Sequence, residues 1–544
     1  MASQVVRLPD GQHITVKPVF AGLFFKSHEL SHDNAFPIGW TIVIHTEGAG
    51  DGNESSAKLA EAHAAAAENP LLAKRQQIHS FRTPTLQQDS LFISSISNPS
   101  SSDFKPAASP TRQVAMMLWV TLYWYFHQPP PSASLSTEAA KLTPAAGKPR
   151  GEWHVRVKRD GVLRGRNLIP KLERMGLIAS ANSAVGTALE DNDDMWANMF
   201  VTQQMFWQLP GRLFLFTLQP IGKNARSFPG SPTPSRPASP SAGEIAGPIH
   251  PQLAVAKAGD LPGAPPPTSI TSLPSFPIGP FFSASHLPTY YPPPPMQYTI
   301  TNHIRHPLRP KPPRMGEVFY TRFIPSVGQY LAFRVASISP KPVPYMGPVG
   351  PTPPTPAPAV LTMGDAALLE MWHRNPRVSA FWGEYGEGLL SSALQSRHSF
   401  PVIGLWDGVP FGYFELYWVK EDLLGRYAGS TVDDWDRGCH VLIGEEWARG
   451  RVQSWLTSLV HFLFCADYRT MSICLEPRVD NARLVMPRVE IGIPDHARMP
   501  TNDSLRFIQH LQYAGFNKEK EIAFPHKQAW FGRLRRECWE GPSL

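Results

Sequence analysis

Cysteine is scarce in this sequence. The 544 residues contain four cysteines, Cys439, Cys465, Cys474 and Cys538, and no two of them form a C-x-x-C pair. No group of histidines has the spacing of zinc ligands. We therefore predict free thiols in a reducing compartment, with neither a disulfide framework nor a metal site.

A membrane span, a secretory leader and a basic block are lacking as well. The longest apolar run, 114–126, is shorter than the roughly 20 residues of a membrane span, which predicts a buried helix or strand. The first residues lack the basic and apolar segments of a signal peptide. The net charge of +7 is scattered along the chain, which argues against a nucleic-acid partner. We expect a cytoplasmic protein without a membrane partner. The alternative is the peroxisome, because the terminal P-S-L loosely resembles the S-K-L signal.

Proline, by contrast, is abundant, with 58 residues against an average share of about 5%. It concentrates with Ser and Gly between 220 and 314, which predicts a disordered linker, because proline removes backbone donors and the segment has little apolar surface to bury. The alternative role of the linker is to dock a partner that recognises Pro-rich motifs. The linker separates an N-terminal domain, 1–219, from a C-terminal domain, 315–544, with a second Pro-rich insert at about 339–358.

The N-terminal domain mixes strand and helix patterns. MASQVVRLPDGQHITVKPV predicts two strands around an Asp-Gly turn. Residues 151–179 predict a strand, a turn and an amphipathic helix, and further inserts rich in Ala, Gly, Pro or Ser interrupt the domain. The pattern is that of an α+β fold, and it indicates no chemistry.

The C-terminal domain alternates strands and helices, as an α/β fold does. We predict the order strand, helix, three strands, helix, strand, helix, strand. Apolar residues at i, i+3, i+4, i+7 and onward from Val452 to Phe464 predict a helix. The preceding stretch DRGCHVLIG predicts a strand, on which His440 faces away from Cys439 and Val441.

The loop between this strand and helix suits an anion. Consecutive backbone N–H groups and a helix N-terminus converge there, and Arg449, Gly450 and Arg451 suit a closely approaching diphosphate such as that of coenzyme A. A histidine one strand-length before such a loop would lie near a thioester. Taken alone, however, His440 fits a satisfied core histidine better.

Six blocks, in one order, carry a resemblance to a known family. Residues 329–539 resemble the siderophore-biosynthesis branch of the GNAT superfamily of N-acyltransferases, which includes aerobactin hydroxylysine acetyltransferase, mycobactin lysine acyltransferase and the fungal hydroxyornithine acyltransferases. The blocks are WHRNPRVSAFWGE (372–384), GVPFGYFELYWVKEDLLGRY (408–427), DRGCHVLIGEEWARGR (436–451), EPRVDN (476–481), AGF (514–516) and AFPHKQA (523–529). The fungal members carry an additional N-terminal half, so the resemblance implies a degenerate, GNAT-like fold for the first domain.

The resemblance also implies a site. The pantetheine arm of acyl-CoA would lie between the strand of His440 and the strand TMSICLE, held by Val441, Leu442, Ile443 and Gly444 and by Arg449, Gly450 and Arg451 in the loop. His440 would be the catalytic base, for which a histidine poised near neutrality suffices. Its acidic partner in the family belongs to an E-P-D motif, but this sequence has Arg478 at the third position. Asp480 and then Glu476 are the expected substitutes.

An amino-acid acceptor needs its ammonium and carboxylate recognised. Acidic and aromatic side chains near the predicted active strand suit the ammonium and methylene chain, and two residues that leave the last strand suit the carboxylate or a coenzyme phosphate. These residues are Trp382, Glu415, Tyr417, Trp418, His526 and Lys527. We also expect Asp436 to pair with Arg437.

The resemblance implies an acyltransferase that acylates N5-hydroxyornithine to a hydroxamate for iron chelation. Its cosubstrate would be acetyl-CoA or a longer branched acyl-CoA, with no metal. The alternatives are an N6-hydroxylysine acetyltransferase and a non-catalytic scaffold of the same fold, which the long inserts and Arg478 motivate.

Overall fold

The computed structural model describes residues 2–27, 30–31, 34–35, 39–48, 77–97, 110–135, 138–165, 168–180, 199–215, 297–352, 358–479 and 501–544. Most of the predicted linker, residues 481–500 and part of the second Pro-rich insert lie outside these ranges. Asp480 lies outside them as well.

The C-terminal half is built on an eight-stranded sheet, in which β14 to β18 form an antiparallel meander. A turn at Asp407 and Gly408, both with positive φ, joins β16 to β17, as the Asp-Gly pair predicts. The strands are β14 (Val318–Ile324), β15 (Gln329–Val335), β16 (Ser399–Trp406), β17 (Val409–Trp418), β18 (Arg437–Ile443), β19 (Ser472–Leu475), β20 (Asn517–Ala523) and β21 (Gln528–Arg535).

Helices cover both faces of this sheet. The amphipathic helix predicted from Val452 is confirmed, and its Trp455 and Phe462 rings pack against the sheet rings of Phe414 and Phe319 at 5.4 and 4.5 Å. The other face is covered in part by the four short helices before β16. The helices are α4 (Pro358–Leu361), α5 (Asp365–His373), α6 (Pro376–Trp382), α7 (Leu389–Gln395), α8 (Leu423–Ala428), α9 (Val452–Ala466) and α10 (Thr501–Tyr513).

Two neighbouring strands of the sheet diverge. β18 and β19 run parallel, joined by the crossover helix α9, and they pair only at Arg437–Ile473 and Gly438–Cys474. Beyond Gly438 the two strands separate, although β18 continues to Ile443. The gap between them, hereafter the strand gap, is where the family resemblance implies that the pantetheine arm would lie.

The N-terminal half repeats this topology. Its sheet has the order β1-β2-β3-β6-β8-β9-β11-β10, with β8 and β9 parallel and joined by a helix, just as the C-terminal order is β14-β15-β16-β17-β18-β19-β21-β20. The predicted α+β composition is confirmed. The strands are β1 (Gln4–Arg7), β2 (His13–Val19), β3 (Gly22–Ser27), β4 (Leu30–Ser31), β5 (Asn34–Ala35), β6 (Gly39–Gly48), β7 (Gln77–Ser80), β8 (Asp89–Ser97), β9 (His154–Val157), β10 (Ala179–Ser180) and β11 (Met199–Thr202). The helices are α1 (Pro110–Phe126), α2 (Ile169–Arg174) and α3 (Gln203–Trp207).

The N-terminal sheet has no open strand gap among the described residues. His440 lies two residues after Gly438, the last residue of β18 that pairs with β19. The equivalent position in β8, two residues after Leu91, is Ile93, which is fully buried. After β9 the chain stays on β8, because Lys158 N–H donates to Leu91 O (2.9 Å) and Gly161 packs against the Ile93 carbonyl. The space that is open in the C-terminal half is filled here by the chain itself.

The long apolar run of the sequence forms α1, and its residues from Val114 onward are buried. The prediction of a buried helix is therefore confirmed. No helix among the described residues is long and apolar enough to cross a membrane.

The two halves contact each other through α9 and β15. The His461 ring bonds Trp207 O and the Tyr320 hydroxyl, at 3.0 and 2.9 Å. The Tyr330 hydroxyl donates to Leu8 O at 3.1 Å. The N-terminal half therefore packs against the C-terminal half at α9 and β15.

Three sequence predictions need correction. The strand β14 was missed, and the stretch predicted as one final strand is the hairpin β20–β21. The linker was predicted to be disordered to 314, but β12 (Tyr298–Thr301) and β13 (Ile304–Pro307) form a hairpin. The buried Glu421 carboxylate lies 2.9 Å from Nδ1 of His306, in β13, and 2.7 Å from Nε of Arg309, which follows the hairpin. This ion cluster fixes the end of the predicted linker to the C-terminal half.

Candidate active site

The site begins with one face of two antiparallel strands. Because side chains alternate along a strand, Tyr413, Glu415 and Tyr417 of β17 share a face, and the register places His440 of β18 directly opposite Glu415. The Tyr417 ring lies over Gly438, where a Cβ atom would collide with it. Gly438 therefore lets Tyr417 reach the His440 ring, at a centroid distance of 4.6 Å.

The backbone N–H and C=O groups of successive β18 residues point alternately toward β17 and into the strand gap. The N–H of Gly444 donates to Phe411 O (3.0 Å), and bonded and non-bonded pairs alternate in an antiparallel ladder. The backbone of His440 is therefore paired with β17. The N–H and C=O groups of Val441 and Ile443 point the other way, into the strand gap.

His440 lies between two carboxylates. Its Nε2 is 3.0 Å from Glu476 Oε1, and its Nδ1 is 3.4 Å from Glu415 Oε2. The Glu476 side chain is 5% exposed, whereas those of Glu415 and His440 are 23% and 33% exposed. These three residues are hereafter the carboxylate–histidine triad, and its more accessible carboxylate is that of Glu415.

The two carboxylates of the triad stabilise the protonated form of His440. Burial lowers the pKa of His440, but the negative charge of Glu476 and the hydrogen bond of Glu415 outweigh burial and raise it to about 10. Burial raises the pKa of Glu476, but the His440 charge outweighs that effect and lowers it to about 2. The expectation of a histidine poised near neutrality is wrong for the substrate-free protein, because two carboxylates flank the ring where the sequence suggested one.

Three further side chains fix the carboxylates. The Tyr417 hydroxyl donates to Glu476 Oε2 (2.9 Å), and Lys527 Nζ donates to Glu476 O (3.0 Å). The Tyr413 hydroxyl donates to Glu415 Oε1 (2.7 Å). Tyr413 was missed in the sequence, although it precedes Glu415 by two residues, and strand alternation places the two on one face.

The predicted coenzyme residues divide into two groups. Val441 and Ile443 present their backbone to the strand gap, and a Cβ on Gly450 would meet nothing within 4 Å, so the chain leaves room there for a ligand. A mixed donor set of backbone amides and the Arg449 guanidinium, whose side chain is 28% exposed, suits the amides and phosphates of coenzyme A.

The other three do not face the strand gap. Leu442 is buried and its backbone pairs with β17. Gly444 is required for packing, because the Trp372 ring occupies the place of its Cβ. Arg451 turns back to Gln329 Oε1 (2.7 Å) and lies over the Trp406 ring. Their prediction as coenzyme residues is corrected accordingly.

The predicted acceptor residues also fall into two groups, one near His440 and one away from it. Glu415 is a member of the triad, and Tyr417 and Lys527 donate to Glu476. Trp382 lies beside His440, with a distance of 6.3 Å between ring centroids. Trp418 lies on the opposite face, with the Arg437 guanidinium 4.0 Å from its ring centre.

His526 is exposed at the β20–β21 turn, near Phe524. The expected Asp436–Arg437 pair is not formed, since Asp436 lies 3.4 Å from Arg533 Nη1. Within the described ranges, no group of three or more His, Cys, Asp or Glu side chains is arranged so that it could hold a metal ion.

The chain resembles known acyltransferases over most of its length. A family model described as an acetyltransferase (GNAT) domain matches residues 362–496. The N5-hydroxyornithine acetylase sidL of Beauveria bassiana is 53% identical over 97% of this chain and 100% of the relative. The N(6)-hydroxylysine O-acetyltransferase of Escherichia coli is 33% identical over 43% of this chain and 60% of the relative.

A second protein of Beauveria bassiana, named an N(5)-hydroxyornithine:cis-anhydromevalonyl coenzyme A-N(5)-transacylase, is 30% identical over 45% of this chain and 48% of its own length. Among solved structures, an aminoglycoside acetyltransferase in complex with coenzyme A matches with a TM-score of 0.25 and 22% identity, over 32% of this chain and 91% of its own.

Proposed function

This chain belongs to the siderophore-biosynthesis N-acyltransferases of the GNAT superfamily, and we propose that it transfers an acetyl group from acetyl-CoA to the hydroxylated side-chain nitrogen of N5-hydroxyornithine. The product is a hydroxamate. The acetylase that is 53% identical over 97% of the chain supports both the acceptor and the acetyl group.

One structural observation carries the proposal. His440 lies on the strand that borders the strand gap, and two carboxylates hold it at 3.0 and 3.4 Å. A proton-transfer group beside a cleft with backbone donors and acceptors is what acyl transfer to nitrogen needs. A non-catalytic scaffold has no need of a buried carboxylate beside a protonated histidine, an arrangement that is costly unless every partner is kept.

The chemistry of the acceptor is undemanding. An N-hydroxylated amine is far less basic than an alkylamine, so its nitrogen is neutral and nucleophilic near pH 7. Acyl-CoA supplies an activated acyl carbon and a thiolate leaving group. The side chains of the site then have to position the nitrogen and manage one proton as the C–N bond forms and the C–S bond breaks.

The triad suits that proton transfer as a unit. Since His440 is already protonated near neutral pH, we assign it the donation of a proton to the departing sulfur. Glu415, the more exposed carboxylate, accepts the proton that the nitrogen loses and returns it to His440 Nδ1 along their existing contact. Glu476 stays ionised and keeps the ring oriented. The triad ends in the state in which it began.

The coenzyme is assigned to the strand gap. Val441 and Ile443 offer backbone N–H groups along it, and Arg449 and Gly450 form the loop that receives the diphosphate. For the acceptor we retain the exposed His526, next to Lys527, which donates to Glu476 of the triad, as the residue that meets the amino-acid carboxylate. Asp480 is not needed for this arrangement, since Glu476 fills the acidic role.

The test is a steady-state assay that follows thiol release and the coloured ferric complex of the hydroxamate. Acetyl-CoA is offered with N5-hydroxyornithine, with N6-hydroxylysine and with unhydroxylated ornithine as the matched control. We expect turnover with N5-hydroxyornithine in preference to the others, and a loss of about 10² to 10⁴ in kcat for His440→Ala, the usual range for one acid–base group. Preference for N6-hydroxylysine, or a loss below tenfold in a folded His440→Ala protein, would overturn the substrate or the role, respectively.

The cytoplasmic location expected from the sequence belongs to this proposal. A fluorescent protein fused to the amino terminus leaves the last residues free, and its overlap with a peroxisomal marker decides between the two compartments. We expect diffuse fluorescence without such overlap.

A further inference from the structure

Trp382 stands where the strand gap meets the triad. Its indole Nε1–H donates to Val441 O at 3.2 Å, a carbonyl that faces the gap. The rings of His440 and Tyr413 lie steeply inclined to the indole, at centroid distances of 6.3 and 5.8 Å. The indole therefore lies beside both the backbone assigned to the acyl donor and the side chain assigned to proton transfer.

The local chain holds Trp382 in this position. It is the last residue of α6, a helix that begins with Pro376 and is capped by the Asn375 side chain, which accepts from Arg377 N–H. Gly383 follows with a φ of 78°, and its carbonyl is 3.0 Å from Nδ1 of the buried His373. With the helix end fixed on one side and Val441 bonded on the other, the indole has little freedom to swing away.

From this placement we infer that Trp382 sets the upper size of the acyl group. The inference rests on the proposed function. The reacting carbonyl carbon must lie beside the Val441 backbone and within reach of the triad at the same time, and the indole borders exactly that space. A methyl group beyond the carbonyl carbon fits in front of the ring, whereas a longer or branched chain meets it.

Relatives of this chain are named for acyl groups of different size. Two relatives from one fungus are named for different acyl groups, an acetylase and a cis-anhydromevalonyl transacylase. A pocket wall discriminates by roughly 10- to 200-fold per methylene when it leaves no room for the extra carbons. A single rigid aromatic wall is therefore sufficient to separate an acetyl from a four- or five-carbon group.

The test compares acetyl-CoA with butanoyl-CoA and 3-methylbutanoyl-CoA, all with N5-hydroxyornithine as acceptor. The quantity measured is the ratio of kcat/KM for each longer donor to that for acetyl-CoA. We expect Trp382→Ala and Trp382→Leu to raise this ratio at least tenfold. Because the ratio does not depend on the fraction of folded enzyme, it remains informative when a variant is less stable.

Two matched variants separate size from other effects. Trp382→Phe keeps an aromatic wall but removes the Nε1–H, so we expect its ratio to stay within about threefold of the starting protein. Phe381, 41% exposed on the same helix, is the position control, and Phe381→Ala is expected to leave the ratio unchanged.

An unchanged ratio in both Trp382→Ala and Trp382→Leu would overturn the inference, as would an equal rise in Trp382→Phe. Failure of the proposed function has a different signature, because the unaltered protein would then form no hydroxamate from acetyl-CoA and N5-hydroxyornithine.

Discussion

Replacing Glu476 by Gln removes the charge nearest to His440 while keeping the shape of the side chain. At the observed 3.0 Å, two unit charges interact by about 5.5 kcal/mol at an effective dielectric constant of about 20 and by about 1.4 kcal/mol in bulk water. These values correspond to about 4 and about 1 pKa units. Because a third of the His440 side chain is exposed, we expect its pKa to fall from about 10 by an amount between these limits.

The assay is an NMR titration of the His440 ring, assigned by the signal that disappears in His440→Gln. Glu415→Gln is the matched control, because that carboxylate is farther away, at 3.4 Å, and more exposed. Its removal is expected to lower the pKa of His440 by less than Glu476→Gln does. The same titration should show the imidazolium persisting through neutral pH in the unaltered protein.

Two results would refute the reasoning. One is a His440 ring that titrates near 6.5 in the unaltered protein, which would mean that neither carboxylate stabilises its charge. The other is an unchanged pKa in Glu476→Gln, which would show that the 3.0 Å contact does not exist in solution. Either result would also remove the assignment of His440 as the proton donor to sulfur.

Three further predictions concern stability and packing. His440 gains a proton-stabilising environment on folding, so its contribution to the free energy of unfolding is fully present below pH 6.5 and is lost as the pH rises through about 10. Denaturant titrations at pH 6.5 and at about pH 10 should show that the free energy of unfolding falls more between these two pH values in the unaltered protein than in His440→Ala. The difference between the two proteins should be at most about 5 kcal/mol, and less where solvent screens the charge. Glu421→Gln leaves the buried arginine beside it without a counter-charge and should lower the free energy of unfolding by about 3–5 kcal/mol, whereas Glu370→Gln, in an exposed ion pair, should lower it by less than about 1 kcal/mol. Gly438→Ala forces the Tyr417 ring off the strand and away from Glu476, so kcat should fall at least tenfold while circular dichroism stays unchanged, and full activity would contradict the packing described above.

Several elements followed directly from local sequence patterns. The 3.6-residue period from Val452 defines α9, the Asp407-Gly408 pair defines the β16–β17 turn, and alternation along β18 places His440 on its own face. The run 114–126 was correctly predicted to be buried. Each of these depends only on residues that are close in the chain, which is why the sequence alone sufficed.

Other features depend on residues that are distant in the chain. The two large sheets of the described residues share one strand order, yet the N-terminal one carries Ile93 at the position that corresponds to His440, which no composition or period indicates. The hairpin near the end of the predicted linker is fixed by Glu421, more than one hundred residues further along the chain. Because proline-rich composition argues against burial, this anchored segment was predicted to be disordered.

By itself, the sequence determined that His440 lies on a strand followed by a loop that contains Arg449 and Arg451, and the family resemblance implied that this strand borders acyl-CoA. Only the tertiary structure decided which carboxylates flank the ring, that Arg451 turns inward, and that Trp382 faces the strand gap. The reason is physical. Side-chain direction along one strand follows from its own alternation, but the pairing of charges across three strands, and the pKa values that result, depend on distances that exist only after the sheet has formed.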